Sequence, residues 1–371
     1  MPPRFRIAYF AHAIRSDWNN GNAHFLRGLL RSMGELGHDV TAFEAEDDWS
    51  IRNLREESTG AQSLAQFAEV YPDLRVAGYP PEVLSHSAFW RERLRGVDLI
   101  IVHEWNPPEL VHCLLDLRRE LGCRMLFHDT HHRASSSPEQ MELYGIARFD
   151  GVLAFGEALC TIYRERFGIR RVWTLHEAAD TTVFRPYPAV APTTDCVWIG
   201  NWGDGERTSE IRKFLLAPAS HLAHRSFRVF GVRYPESGLA ALRNANVEYG
   251  GYLPNLQAPL AYAHARITVH IPRQQYTHAM AGIPTIRVFE ALACGIPLIS
   301  APWRDIEGLF RKEDFLQVRN CGEMKRAMER LLSEPRVAEL QALRGLETVL
   351  SRHTCRHRAE QLSSICEELL H

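Results

Sequence analysis

Five residues that could hold or move a proton stand together at 128–133, in the stretch FHDTHHRAS: His128, Asp129, His131, His132 and Arg133. Imidazole titrates near neutral pH and an adjacent carboxylate fixes its tautomer, so the group suits a general base or polar contacts to substrate hydroxyls. A set of satisfied side chains capping the helix that follows fits the same residues equally well. Metal binding fits less well, because no partner cluster of Cys, Asp or Glu stands elsewhere in the chain.

A second candidate is WIGNWGDGERTSEI at 198–211. Gly200, Gly203 and Gly205 let backbone approach a ligand closely, Asn201 lies among them, and Arg207 can neutralise a phosphate. The glycine spacing is not that of a dinucleotide fingerprint, and a tight turn with a solvated arginine is the plainer account. Arg273, just after ITVHI, points into the same crevice or stays on the surface.

The third is Glu290, the one acid in IRVFEALACG, a short apolar segment bounded by Pro284 and Gly295. Proline suits a first helical turn and glycine the left-handed residue past a helix end, which predicts one short helix running into the strand PLIS. Glu290 lies three residues after Arg287, so a local ion pair worth about 0.2–0.5 kcal/mol is one account. The other is an acid that accepts hydrogen bonds from two ribose hydroxyls while helix amides and a cation hold a diphosphate. A fourth, weaker candidate is the loop SDWNNGNAHFL, where the amides of Asn20, Gly21 and Asn22 precede a helix and could meet an anion or a hydroxyl.

These segments need strands to aim them. RIAYFAHAI, DVTAFEA, DLIIVHEW, RMLFHDT, GVLAFG and RVWTLHE read as strands separated by helices such as HFLRGLLRSMGELG, the pattern of a doubly wound parallel sheet. The polar stretch from Glu44 to Ser87 is read as one or two surface helices. RPYPAVAPTTD, 185–195, reads as an interdomain linker. CVWIGNW, FRVFGV, VEYGGY, ITVHIPR and PLISAP then begin a second sheet of the same kind, and the chain is helical from about Gly322. The implied domains are 1–186 with a returning helix at about 353–371, and 187–352, with ligands in a crevice at the strands' carboxyl ends.

Bulk properties agree with two α/β domains. The 371 residues exceed one ordinary core, and 45% apolar with 24% charged residues is a globular composition. A net charge of −2 gives no sign of a nucleic-acid partner. No apolar run reaches the ~20 residues that span a bilayer and no leader peptide is evident, so a cytoplasmic location is expected. The eight cysteines form no Cys-x-x-Cys pair and read as buried thiols.

VWTLHEAADTTVFRP, with Asp180, Phe184 and Pro186, resembles the segment that closes the N-terminal domain of GT-B glycosyltransferases, and IRVFEALACGIPLIS resembles their nucleotide-sugar helix. With NNGNAHFLRGLLRSMGELGHDVTAFE the resemblance covers nearly the whole chain, and RVFEALACG and HTCRHRAEQL are similar to the CgeB-like branch. The resemblance implies two Rossmann-like domains facing a central cleft, with the final helix crossing back to the first. It implies a transferase that moves a sugar from a nucleotide-diphosphate donor, bound by the C-terminal domain, to an acceptor bound by the N-terminal one. By position, Glu290 would bind the ribose, while Arg207 and the amides near Gly282 to Thr285, a stretch that includes Ile283 and Pro284, would hold the diphosphate. No metal or further cofactor is implied, consistent with the absence of Asp-x-Asp from the chain.

One departure is Gly282, where many retaining members carry a second glutamate eight positions before the ribose ligand. Stereochemistry is therefore open: inversion would need a base, for which Asp129, His131 and His132 are the candidates. Two other functions stay open, a nucleotide- or sugar-binding protein without turnover and a nucleotide-sugar epimerase. The epimerase is disfavoured because no acid pair is evident at the strand ends. The acceptor, whether small molecule, glycan, lipid-linked sugar or protein, is not legible.

Overall fold

Runs of apolar residues buried on both faces become parallel strands here, and amphipathic segments between them become the covering helices. The computed structural model describes residues 3–187, 190–203 and 205–370. Pro188 and Ala189 of the proline-rich segment and Asp204 of the glycine-rich loop lie outside the described residues. The chain divides into two compact units, Met1–Glu177 with Cys355–His371, and Ala178–Thr354.

The first unit holds seven parallel strands: β1 Arg6–Phe10, β2 Asp39–Ala45, β3 Val76–Tyr79, β4 Leu99–His103, β5 Arg124–Asp129, β6 Gly151–Ala154 and β7 Val172–Thr174. Their order is β3-β2-β1-β4-β5-β6-β7, so the winding reverses between β1 and β4. Tyr9 of β1 lies in register with Ala42 on one side and Ile101 on the other. The last helix, Cys355–Leu370, belongs to this unit, as the resemblance implies. It is fixed there by His38 Nε2 to Ser363 Oγ (3.0 Å), Arg358 Nε to the His176 carbonyl (3.0 Å) and Gln361 Nε2 to the Thr174 carbonyl (2.6 Å).

The second unit holds β8 Thr194–Ile199, β9 Phe227–Phe230, β10 Val247–Tyr249, β11 Ala265–His270, β12 Leu298–Ser300 and β13 Leu316–Gln317. The order β10-β9-β8-β11-β12-β13 reverses between β8 and β11. Its core joins Trp198, Phe214, Val229 and Ile267 to Met324 and Met328 of the helix Cys321–Ser333.

Three local expectations are corrected. Glu44–Ser87 holds the helices Trp49–Glu56 and Gly60–Val70 but also β3, whose VAGY lacks the β-branched density that marks a strand. β13 is two residues long, too short to leave a pattern. The Glu290 helix spans Ile286–Ala293 with Thr285 as its N-cap, so Pro284 precedes the cap rather than filling the first turn; Gly295 is left-handed (φ 66°) as expected.

Candidate functional site

In an open parallel sheet the loops part where strand order reverses, leaving a crevice beyond the carboxyl ends. The sequence candidates fall at two such places, one in each unit.

In the second unit the loop after β8 needs two left-handed residues, which Gly203 (φ 85°) and Gly205 (φ 90°) supply. Tyr234 Oη donates to the Gly200 carbonyl at 2.7 Å. Gly231, with φ 155°, lies so close that an added Cβ would stand 2.2 Å from that same carbonyl oxygen. Arg207 donates through Nη2 to the Asn201 carbonyl (2.8 Å) and to its Oδ1 (2.5 Å), and its guanidinium lies 5.2 Å from the Trp198 ring centre. Arg273 Nη2 reaches the same Asn201 Oδ1 at 3.5 Å. Two guanidiniums thus converge on one neutral oxygen, with Glu206 paired to Arg273 beside them.

His270, the last residue of β11, bridges Ser300 Oγ of β12 (2.9 Å) and Thr285 Oγ1 (3.0 Å). Burial, helped by the charge of Arg207, pushes its pKa down to about 3, so the ring is neutral. Thr285 therefore gives its hydroxyl to His270 and makes no side-chain cap on its own helix. Gly282 adopts φ 102° and packs so closely that an added Cβ would lie 2.3 Å from Ile306 Cγ1, while the Ile283 carbonyl accepts from Trp303 Nε1 (3.0 Å). Glu290 is wholly buried; Arg287 pairs with its Oε2, to which Tyr262 Oη also donates at 3.4 Å. The local ion pair read from the sequence is present.

In the first unit the histidine segment follows β5. Asp129 has no exposure: Oδ1 accepts the His131 amide (2.9 Å) and Oδ2 the Tyr163 hydroxyl (2.6 Å). Both carboxylate oxygens thus face protein groups, one of them the His131 amide. His131 is half-buried with its ring 4.0 Å from that of His132. His132 bonds Ser136 Oγ through Nδ1 (2.9 Å), and its carbonyl accepts the Ser135 and Ser136 amides, the helix-start role that competed with catalysis. His128 is fully buried against Tyr9 Oη (2.7 Å), and burial pushes its pKa down to about 3.

In the loop after β1 several amides are held by side chains. Glu44, buried at the end of β2, accepts the amides of Ile14 (2.6 Å) and Arg15 (2.8 Å), and the Asn22 amide goes to Asn20 Oδ1 (3.2 Å). Buried Arg27 adds bonds to the Ile14 and Arg15 carbonyls and to Asp17. The Asn20 amide goes to the Asp17 carbonyl (3.0 Å), and Asn22 Nδ2 reaches Thr130 Oγ1 (3.2 Å), with Gly21 between the two asparagines.

Glu104 was not singled out by the sequence reading. It follows β4, is fully buried, and holds Thr130 through its amide and hydroxyl (3.2 Å each). Burial raises its pKa, as does the neighbouring charge of Asp129, itself raised by burial. An acid pair therefore does exist at the strand ends, contrary to expectation, but it is enclosed. Its sequence signal was an acid directly after five buried residues.

Among the described residues no group of three or more His, Cys, Asp or Glu could hold a metal ion, and no helix is long and apolar enough to cross a membrane. All eight cysteines are free thiols, seven of them buried.

Residues 207–364 match the family model of glycosyl transferase-like domains, a span that contains Arg207, Arg273, Gly282–Thr285, Arg287 and Glu290. HepE of Anabaena, solved with UDP and glucose, superimposes with a TM-score of 0.71 at 12% identity over 98% of this chain and 100% of its own. Sucrose-phosphate synthase of Thermosynechococcus elongatus gives 0.68 at 17% identity over 99% of each chain. A glycosyltransferase of Rickettsia africae ESF-5 gives 0.66 at 13% over 99% of each. At such identities the likeness is one of fold, and that fold is GT-B. None of these matches singles out the CgeB-like branch. No curated protein sequence matches the chain.

Proposed function

We propose that this GT-B chain, glycosyl transferase-like over residues 207–364, is a metal-independent cytoplasmic enzyme that moves a hexosyl group from a nucleotide-diphosphate donor to a hydroxyl acceptor. The observation that carries the reading is the convergence of Arg207 and Arg273 on Asn201 Oδ1 at the β8–β11 reversal. Two guanidiniums held on a single neutral oxygen are a ready anion site, and a diphosphate oxygen can take the place of the amide.

The donor's base and ribose would lie toward the Ile286–Ala293 helix, where Glu290 accepts ribose hydroxyls once Arg287 turns to the phosphates. The amides of Gly282, Ile283 and Thr285, with Arg207 and Arg273, would stabilise the diphosphate as it leaves. In an inverting reaction His131 would take the acceptor proton, held by Asp129 through its own amide.

The test is calorimetric titration of UDP, GDP, TDP, ADP and CMP and their sugars in EDTA, on wild type, Arg207→Ala and Glu290→Ala. One nucleotide that binds wild type and is lost in both variants supports the assignment. Equal binding in all three removes these residues from the site. A specific observation favours a second reading, binding without turnover: Ile306 fills the space beside Gly282, where a carboxylate would meet the donor sugar. Release of nucleotide diphosphate from the bound donor, by transfer or slow hydrolysis, excludes it.

A further inference from the structure

The proposed reaction leaves Trp105 unused. It stands immediately beyond β4, at the reversal of the first sheet, and 42% of it is exposed. Single exposed apolar residues are ordinary and carry no argument by themselves. What distinguishes this one is the rigidity of its surroundings.

Both neighbours are locked. Glu104 is fully buried and its amide donates to the His128 carbonyl at 3.0 Å. Asn106, 2% exposed, donates through Nδ2 to the Phe10 carbonyl (2.8 Å) and to the His103 carbonyl (2.9 Å), tying the end of β4 to the end of β1. The indole itself is flanked. The Arg133 guanidinium carbon lies 3.8 Å from its ring centre, and Arg133 is held in turn by its bond to the Glu104 carbonyl. The His131 ring stands 5.0 Å away at 70°, and the His12 ring 6.3 Å away at 47°.

With the guanidinium stacked on one face, a half-exposed indole bordered by two imidazoles matches a ligand with one apolar face and a polar rim. A pyranose ring is such a ligand: its axial C–H bonds form a flat apolar patch and its hydroxyls lie at the edge. We infer that Trp105 is the platform of a sugar subsite in the first unit, taking the C–H face of a gluco-configured pyranoside in the acceptor on the ring face opposite Arg133, while His12 and His131 meet its hydroxyls. This rests on the proposed transfer only in calling the bound sugar the acceptor.

A nucleobase would also stack on an indole, but single-stranded nucleic acid needs a cationic track for its backbone. Here the neighbouring loop amides of Ile14 and Arg15 are spent on Glu44 of β2, buried Asp17 lies in that same loop, and the chain carries −2 overall. The sugar is therefore the better match.

The experiment is saturation-transfer NMR on the full chain without nucleotide, using methyl β-glucopyranoside, cellobiose and, as a competitor class, a short oligothymidine. Wild type, Trp105→Ala and Trp105→Phe are compared, with near-ultraviolet circular dichroism to confirm folding. The expected result is transfer strongest to H1, H3 and H5 of the glucoside, binding weakened about tenfold or more in Trp105→Ala, roughly 1.4 kcal/mol, and largely retained in Trp105→Phe. Nucleotide affinity should be the same in all three. Glucoside binding that is absent from wild type at tens of millimolar, that survives Trp105→Ala within twofold, or that yields to tighter oligothymidine binding overturns the inference. Sugar binding with no binding of any nucleotide would instead sink the donor assignment and leave the platform standing.

Discussion

His270 offers a stability test whose size can be worked out beforehand. Its ring is enclosed between Ser300 and Thr285 and its pKa is lowered to about 3, against 6.5 for the unfolded imidazole. A lowered base contributes stability that is complete above the unfolded pKa and is lost as pH falls from there toward the folded value. Between pH 7 and pH 5 the unfolded chain takes up most of a proton at this position and the folded chain almost none, which removes about 2 kcal/mol. His128 in the first unit is lowered to about 3 as well, so wild type loses stability from both rings. Substituting His270→Gln keeps one donor and one acceptor for the two hydroxyls but removes the titration. Urea unfolding at pH 7 and pH 5 should show the loss on acidification smaller by about 2 kcal/mol in the variant. Equal losses in the two proteins would mean that His270 takes up its proton in the folded state at an ordinary pKa, and the neutral bridge would be wrong.

Two further outcomes follow from the same geometry. Gly231→Ala places a methyl carbon 2.2 Å from the Gly200 oxygen at a φ of 155°; it should destabilise the protein by roughly 1–3 kcal/mol. Because that carbonyl begins the Arg207 loop, nucleotide affinity measured by calorimetry should fall with it, and unchanged affinity would uncouple the loop from the site. Tyr163→Phe removes the donor to Asp129 Oδ2 and should lower stability in urea by about 1–3 kcal/mol, with transfer activity falling if Asp129 positions His131. A variant as stable and active as wild type would show the Asp129 contacts to be idle.

Much of this architecture is written in short-range pattern. β4, β5 and β11 appear in the sequence as apolar runs because both their faces are buried, and the Glu290 helix is bracketed by Thr285 and Gly295. The histidine segment was visible because its members are contiguous. Its actual wiring was not: Glu104 meets Thr130 across 26 positions and Arg27 meets Ile14 across a loop, contacts that exist only once β1, β4 and β5 lie side by side. Nor does residue type tell which way a carboxylate turns. Asp129 reads in sequence as a candidate base and Glu290 as a candidate ribose ligand, and both are enclosed by a tyrosine and a backbone amide or an arginine.

A positional rule does separate the polar residues of these strands. At the amino ends stand Arg6, Asp39 and Arg124, whose side chains are about half exposed and pair with neighbours, Arg6 with Asp39 at 3.5 Å and Arg124 with Asp150 at 3.3 Å. Such pairs contribute about 0–1 kcal/mol and could be exchanged for other surface residues. At or just past the carboxyl ends stand Glu44, Glu104, Asp129, His270 and Ser300, none more than 2% exposed. The first four bond a loop or helix start: Ile14 and Arg15, Thr130, His131 and Thr285 in turn; Ser300 holds the His270 ring that reaches Thr285. Desolvating a polar group is unfavourable unless a fixed partner replaces water, so residues kept there at that cost hold the loops rather than the sheet. A polar residue closing an apolar strand on its carboxyl side was therefore the signal for the supporting layer of both sites. It is present in DVTAFEA, DLIIVHEW and ITVHI.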